Sequence, residues 1–260
     1  MSKINIRGVE FDSVNMDMAM EKCSSFLNSD DGRCRVIHTP NAEICQLCVE
    51  KNEYYPLINS ADLVLPDGAG VILASKILRK PLEYGKVAGI ELCENLIKYC
   101  AENHLGVYFL GGKPDVARLA SEKMAQKYSG LIVSGCNDGY FPKVNSFETI
   151  EQYKNGGAFE QDRDVIKRIN ESGAALLLVC LGVPAQELWM NCHRDELNIK
   201  LCGGFGGSLD IFAGVSKRAP KIFIKLNCEW LYRLIKEPKR IGRMMALPRF
   251  VFGTIFAKKK

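Results

Sequence analysis

The residues best suited to chemistry follow apolar runs, where open α/β sheets bind their ligands. The run ADLVLPDGAG (61–70) leads through a proline to one carboxylate, Asp67, and then into a Gly-x-Gly turn. A carboxylate placed between a strand and a helix could act as a general base. Alternatively, Asp67 only caps the helix or forms an Asx-turn, and these residues alone leave both interpretations open.

Other predicted strands also end in polar residues. HTPNAE offers Thr39 and Asn41, and LGVPAQE offers Gln186 and Glu187. Glycine turns before helices, as in LGGKP and GGFGGSLD, could bind a diphosphate through free N–H groups. The alternatives are that Thr39 and Asn41 cap the next helix and that Gln186 and Glu187 are ordinary first-turn residues. The G-x-G-x-x-G and Walker A spacings are absent from the sequence, which excludes the dehydrogenase fingerprint and the P-loop.

Two short motifs have the form of metal sites but are better explained structurally. Cys45 and Cys48 form a lone CxxC on a predicted helix, and without a second ligand pair they are expected to be packing residues. Asp162 and Asp164 form an Asp-x-Asp, but they open a helical run instead of ending a strand. We expect a solvated helix start there and no metal.

The elements that must position these residues alternate between strands and helices. RVIHTPN (35–41) predicts a strand, residues 42–59 a helix, and AALLLVCLG (174–182) a strand apolar enough to be buried on both faces. The pattern predicts an α/β fold with a Rossmann-like, mostly parallel sheet covered by helices. Residues 144–164 form the most loop-like stretch.

Charge divides the chain unevenly. Residues 215–260 hold thirteen Lys or Arg and two Glu, a net charge of +11, whereas residues 1–214 carry −6. This asymmetry predicts a polyanionic partner, either nucleic acid or an anionic membrane surface. No signal sequence or membrane-length apolar run is present, and the eleven cysteines are odd in number. We therefore expect a cytoplasmic protein with reduced thiols and peripheral membrane contact.

The basic segment is also apolar. In KLNCEWLYRLIK, Leu226, Trp230 and Leu234 recur at helical spacing, which predicts a basic amphipathic helix. We expect a catalytic body over residues 1–214 and a membrane-associating helical appendage over residues 215–260. The alternative is a solvated basic face. An exposed apolar appendage also favours a homo-oligomer away from membranes.

Taken together, several motifs resemble a known family over nearly the whole chain. In order they are HTPNAEI, LPDGAGV, KVAGIEL, YFLGG, LGVPAQE, GGFGGSLDIFAG and EWLYRLIKEPKR. The sequence resembles the WecG/TagA/CpsF glycosyltransferases, and most of all those of wall teichoic acid synthesis. The resemblance implies transfer of N-acetylmannosamine from UDP-ManNAc to undecaprenyl-diphosphate-linked GlcNAc, forming a β-1,4 linkage. It further implies a body without a metal or other cofactor and an appendage that docks on the inner face of the membrane.

The resemblance also implies roles for individual residues. Asp67 corresponds to the family's proposed base, and a family arginine is replaced by Lys86, which keeps the charge but loses the bidentate fork. The implied substrate-binding residues are Thr39, Asn41, Lys86, Gln186, Arg233, Arg240 and Arg243. Residues 144–164 look like an insertion without an assigned role.

Two alternatives remain open at the level of sequence. The same fold could transfer another sugar to the lipid-linked acceptor, such as N-acetylmannosaminuronic acid, glucose or GlcNAc. A non-catalytic nucleotide- or nucleic-acid-binding protein would explain the basic segment but not the polar residues at successive strand ends. We expect a glycosyltransferase. Its partners would be a UDP-sugar, a polyprenyl-diphosphate-linked acceptor and an anionic membrane, and no nucleic acid.

Overall fold

The computed structural model describes residues 2–157, 159–238 and 241–257, with the backbone alone for Arg233. The strands are β1 (Lys3–Ile6), β2 (Val9–Asp12), β3 (Arg35–His38), β4 (Leu63–Val64), β5 (Gly106–Gly111), β6 (Ile132–Asn137), β7 (Leu176–Cys180) and β8 (Leu201–Gly204). The helices are α1 (Met16–Leu27), α2 (Ala42–Glu50), α3 (Tyr54–Asn59), α4 (Ala69–Ile77), α5 (Gly89–Glu102), α6 (Val116–Lys127), α7 (Phe147–Lys154), α8 (Glu160–Glu171), α9 (Ala185–His193), α10 (Ser208–Phe212), α11 (Lys221–Lys225), α12 (Glu229–Lys236), α13 (Ile241–Met244) and α14 (Ala246–Ala257). They form two units, which are described separately: Met1–Asp17, Thr39–Ala88 and Lys217–Lys260, and then Met18–His38 and Gly89–Ser216.

The second unit contains parallel strands in the order β3, β8, β7, β5, β6. Every residue of β5 and β7 is buried, as their unbroken apolar sequences predict. Helices α5 and α6 pack on β5, and α9 packs on β3, β7 and β8. The predicted α/β class with a parallel sheet covered by helices is therefore confirmed.

The first unit begins with an antiparallel hairpin, β1–β2, which the sequence analysis missed. The buried carboxylate of Asp12 at its end accepts a hydrogen bond from the backbone N–H of Val64 at 2.9 Å. This bond fixes β4, and therefore the start of the LPDG loop, relative to the hairpin.

Helix α14 belongs to the core of the first unit. It packs against α2 and α4, and it buries Phe250 and Thr254 completely. The approach is close because Gly70 has no side chain: a Cβ there would lie 2.8 Å from the Cβ of Ala42 and would overlap Leu247. Helix α14 is therefore held in the first unit by packing, and its Arg249 also lies 4.0 Å from Glu50 of α2.

Two helices differ from their predicted extents. The helix expected over residues 42–59 is split into α2 and α3. The helix expected over KLNCEWLYRLIK is interrupted at Asn227, which adopts a left-handed φ of 57°, so that α12 begins only at Glu229. Leu226 consequently lies outside the helix that carries Trp230, and the predicted stripe is one residue shorter. The basic amphipathic helical segment itself is confirmed, whereas a boundary at residue 214 stays a prediction.

Candidate active site

The loop after β3 is shaped by Asn41. Its side-chain oxygen accepts hydrogen bonds from the backbone N–H groups of Glu43 at 2.9 Å and Ile44 at 3.2 Å, so Asn41 caps α2. The capping interpretation is therefore confirmed for Asn41. No described residue accepts a hydrogen bond from its side-chain nitrogen, which leaves that donor available to a ligand. Thr39, two residues earlier, is only 9% exposed.

Asp67 lies beside this loop. Its backbone N–H donates to the carbonyl oxygen of Pro40 at 3.3 Å, and its side chain is partly exposed. Gly68 takes the N-cap position of α4 with a φ of 83°, a conformation that glycine adopts without strain. A Cβ at Gly68 would lie 3.8 Å from the Cβ of Asn41. The first unit thus brings the loop of Asp67 next to the loop that contains Thr39 and Asn41, whereas the roles of these residues stay a prediction.

Lys86 lies near the Asp67 loop because the next residue, Val87, is hydrogen-bonded to that loop. The N–H of Val87 donates to the carbonyl oxygen of Pro66 at 2.8 Å, which places Lys86 next to the loop of Asp67. The Lys86 Nζ lies 3.2 Å from Oε1 of Glu229, at the start of α12. The two side chains are 23% and 20% exposed, so the pair is partly shielded from water.

Arg243, on α13, is bound to the turn that follows Asn41. Its Nε donates to Oε1 of Glu43 at 2.6 Å, and its Nη2 donates to Oε2 at 3.3 Å. Sequence reasoning did not anticipate Glu43 or Glu229 as partners of these cations, although HTPNAE and EWLYRL contain them. Their presence in two of the recognised motifs was the only signal.

Gln186 belongs to the second unit. It is buried in the first turn of α9, where its Oε1 accepts from the N–H of Gly206 at 3.0 Å and its Nε2 donates to Oε1 of Glu187 at 2.7 Å. Both ends of the amide are therefore engaged, and Gln186 holds the glycine turn after β8.

His38 ends β3 and is fully buried. Burial, together with the charge of Arg194, lowers the pKa of His38 to about 3, so its imidazole is neutral near neutral pH. No described residue forms a hydrogen bond to either ring nitrogen.

Comparison with known proteins identifies the family. Residues 4–260 match the model of the Glycosyl transferase WecG/TagA/CpsF family. The chain belongs to this family. A relative from Staphylococcus aureus (strain MRSA252) is 34% identical over 259 residues, covering 100% of this chain and 94% of the relative. Relatives from strains MW2 and NCTC 8325 / PS 47 have the same identity and coverage, and all three are named N-acetylglucosaminyldiphosphoundecaprenol N-acetyl-beta-D-mannosaminyltransferase.

As a member of the WecG/TagA/CpsF family, the chain is a glycosyltransferase. Two of its implied appendage arginines cannot be placed: Arg240 lies outside the described residues, and of Arg233 only the backbone, in α12, is described. Among the residues described, no helix is both long enough and apolar enough to cross a membrane.

The possible metal motifs of this WecG/TagA/CpsF chain have structural roles. Asp162 does open α8, but it is fully buried, not solvated as expected: it accepts hydrogen bonds from Trp189 Nε1 at 2.6 Å and from the N–H of Val144 at 3.2 Å. Cys45 and Cys48 are both buried, which confirms the packing interpretation, and burial raises the pKa of Cys45 well above its ordinary value. Within the described ranges, no three His, Cys, Asp or Glu residues are grouped to hold a metal ion.

Proposed function

We propose that the chain transfers N-acetylmannosamine from UDP-ManNAc to undecaprenyl-diphosphate-linked GlcNAc, with inversion and a β-1,4 linkage, in the synthesis of a teichoic acid. Family membership and full-length similarity to relatives named for this transfer support the proposal. The structural observation that carries it is the bond from Asp67 N–H to the Pro40 carbonyl, because it sets a strand-end carboxylate beside Thr39 and Asn41.

In the proposed reaction Asp67 is the general base. Its carboxylate takes the proton from the 4-hydroxyl of the acceptor GlcNAc while that oxygen attacks the anomeric carbon of the donor. The bond between that carbon and the diphosphate oxygen breaks, and UDP leaves with the electron pair. A single displacement on the opposite face inverts an α-linked donor into a β product, so no covalent nucleophile is required.

The departing UDP needs positive charge around its diphosphate. The free N–H groups at the start of α4, directly after Asp67, supply part of it in the proposal. Lys86 and Arg243 supply formal charges, and both are fastened within the first unit by carboxylates. Arg233, Arg240 and Gln186 remain substrate-binding proposals that rest on the resemblance of their motifs.

The C-terminal segment is proposed to dock on the inner face of the cell membrane. Its exposed apolar side chains accompany its cations, the combination that binds anionic lipid surfaces. They are Val215, Ile222, Leu226, Trp230, Leu231, Ile235, Ile241, Met245, Phe252, Ile255 and Phe256. Self-association through this surface also stays a prediction.

A vesicle experiment tests the docking. Because α14 is part of the core, deleting residues 215–260 would damage the fold, and surface substitutions are the better probe. We expect the double variant Trp230→Ser, Ile235→Ser to lose binding to phosphatidylglycerol vesicles. Ile132→Ser, on the exposed strand β6, should bind as the wild type does. Equal vesicle binding by the wild type, the double variant and Ile132→Ser would reject the proposed membrane docking.

A panel of donors tests the reaction. The full-length protein is assayed with one synthetic GlcNAc-diphosphate-lipid and, in turn, UDP-ManNAc, UDP-ManNAcA, UDP-glucose and UDP-GlcNAc. Acceptor-dependent UDP release that is fastest with UDP-ManNAc supports the proposal. Faster release with another donor would support glycosyl transfer but identify a different donor sugar. No release with any donor, together with salt-sensitive binding to duplex DNA, would favour the non-catalytic alternative.

A further inference from the structure

The contact between Glu43 and Arg243 joins the two sequence segments of the proposed site by a bidentate pair. Both oxygens of Glu43 accept from one edge of the guanidinium, Nε at 2.6 Å and Nη2 at 3.3 Å. Two parallel bonds of this kind fix the plane of the guanidinium as well as its position.

The same geometry leaves part of the guanidinium unused. Arginine carries five N–H donors in a rigid fork, and Glu43 occupies those along the Nε edge. The Nη1 group has no acceptor among the described residues, and the Arg243 side chain is 53% exposed. The unused donors therefore have a defined direction and are accessible to a ligand.

Glu43 lies close to the residues of the proposed active site, so it can orient the unused donors of Arg243 relative to them. It lies in the first turn of α2, two residues after Asn41, and directly follows the loop whose Pro40 carbonyl accepts the hydrogen bond from Asp67 N–H. The position of Arg243 is thus tied to the turn that carries the proposed pocket residues.

Folding stability does not explain the pair. A half-exposed ion pair contributes little to stability, because solvent screens it and both side chains lose freedom. The C-terminal helices are already held by the packing of Leu247 and Phe250. What the pair adds is orientation of a long side chain before a ligand arrives, which lowers the entropic cost of binding.

We propose that Glu43 is a positioning residue that holds the Arg243 guanidinium ready for the diphosphate group of a substrate. The inference rests on the proposed function, which gives Arg243 a substrate-binding role. It adds a residue that acts only through Arg243, without touching substrate itself.

A double-mutant cycle on the full-length protein tests this dependence. Glu43→Ala should raise the KM of the lipid acceptor about 3- to 10-fold, the cost of ordering one long side chain, while kcat changes less than about 2-fold. In an Arg243→Ala background the same substitution should have no further effect. If the KM of the UDP-sugar rises instead, Arg243 binds the diphosphate of the donor, and the positioning role of Glu43 is still supported.

The chain offers a matched control. Glu50, on α2 as well, lies 4.0 Å from Arg249 of α14, and both side chains are about as exposed as Arg243. Glu50→Ala and Arg249→Ala remove a longer, single-contact ion pair between the same two helical parts of the first unit. They should leave both KM values unchanged, whereas equal effects would show that Glu43 only fastens the C-terminal segment. Glu43→Gln, which keeps one acceptor, should restore part of the affinity.

Binding of inorganic pyrophosphate, measured by calorimetry, gives a second readout that does not need turnover. Glu43→Ala should weaken it about 3- to 10-fold in the wild-type background and not at all with Arg243→Ala. A wild type that binds pyrophosphate in this way but turns over no donor would reject the proposed function alone. An equal effect in both backgrounds, no effect, tighter binding by Glu43→Ala, or no pyrophosphate binding by the wild type would each overturn the inference.

Discussion

Lys86 Nζ and Glu229 Oε1 lie 3.2 Å apart, although 143 positions separate the two residues in the chain. The pair connects the segment beside the Asp67 loop to the first residue of α12. A cation of the proposed diphosphate site is thereby held by a carboxylate of the amphipathic segment. Donor binding and the position of α12 should therefore influence each other.

Lys86→Ala should weaken the binding of UDP about 10- to 100-fold, because a hydrogen bond to a charged group contributes about 1.5 to 3 kcal/mol. Calorimetric titration with UDP measures the change. Lys98→Ala, which removes an exposed lysine paired with Glu102 on α5, is the matched control and should bind UDP normally. Unchanged binding in Lys86→Ala would exclude the residue from the nucleotide site.

Asp67→Asn should reduce turnover about 10²- to 10⁴-fold, the typical contribution of a positioned general base. The binding of UDP should change little, since the amide keeps the size of the side chain and the backbone bond to Pro40 does not involve it. Steady-state kinetics and a UDP titration separate the two effects. Asp30→Asn, on an exposed carboxylate, should retain normal kinetics. Wild-type turnover in Asp67→Asn would reject the assignment.

Gly70→Ala should lower the free energy of unfolding by about 1 to 3 kcal/mol, because the added methyl group overlaps Leu247 and crowds Ala42. The sign is informative, since alanine normally stabilises a helix relative to glycine by about 1 kcal/mol. Gly242→Ala, on α13 with no atom within 4 Å of the added Cβ, is the control and should be neutral or stabilising. Urea unfolding of both variants provides the measurement. Equal stabilisation would mean that α14 does not pack as described.

His38 should make the protein less stable in acid. Its pKa is about 3 when folded and near 6.5 when unfolded, so between these values only the unfolded chain binds the proton. The free energy of unfolding should therefore fall by about 1.4 kcal/mol per pH unit on acidification from pH 6.5, through this residue alone. His38→Leu should lack that component, which urea unfolding between pH 4.5 and 7 would detect. Parallel pH profiles for the two proteins would contradict the burial of a neutral imidazole.

Local sequence determined much of the fold. β7 was recognisable because a strand covered on both faces consists of unbroken apolar residues. The break between α2 and α3 was missed although Pro56 signals it, because proline is tolerated in the first turn of a helix, where α3 places it, but not in a helix interior. The late start of α12 depends on Asn227 in a left-handed conformation, which asparagine tolerates but does not require.

Some residues of the candidate site could also be predicted from sequence, and others could not. Thr39, Asn41 and Asp67 could be grouped from sequence because each follows a strand in a compact motif. The partners of the cations could not, since the pairs Glu43–Arg243 and Lys86–Glu229 depend on the tertiary packing of α12 to α14. Burial of Asp162 was missed for a related reason: its partners Val144 and Trp189 lie 18 and 27 positions away.

The first unit is assembled from segments far apart in the sequence, since it combines residues 1–17 and 39–88 with residues 217–260. During synthesis on the ribosome, α2 and α4 must wait for α14 to emerge before their contact surfaces are covered. A nascent chain that stalls before Phe250 would present those surfaces to chaperones and proteases. The first unit should therefore reach its final packing only after α14 has been synthesised.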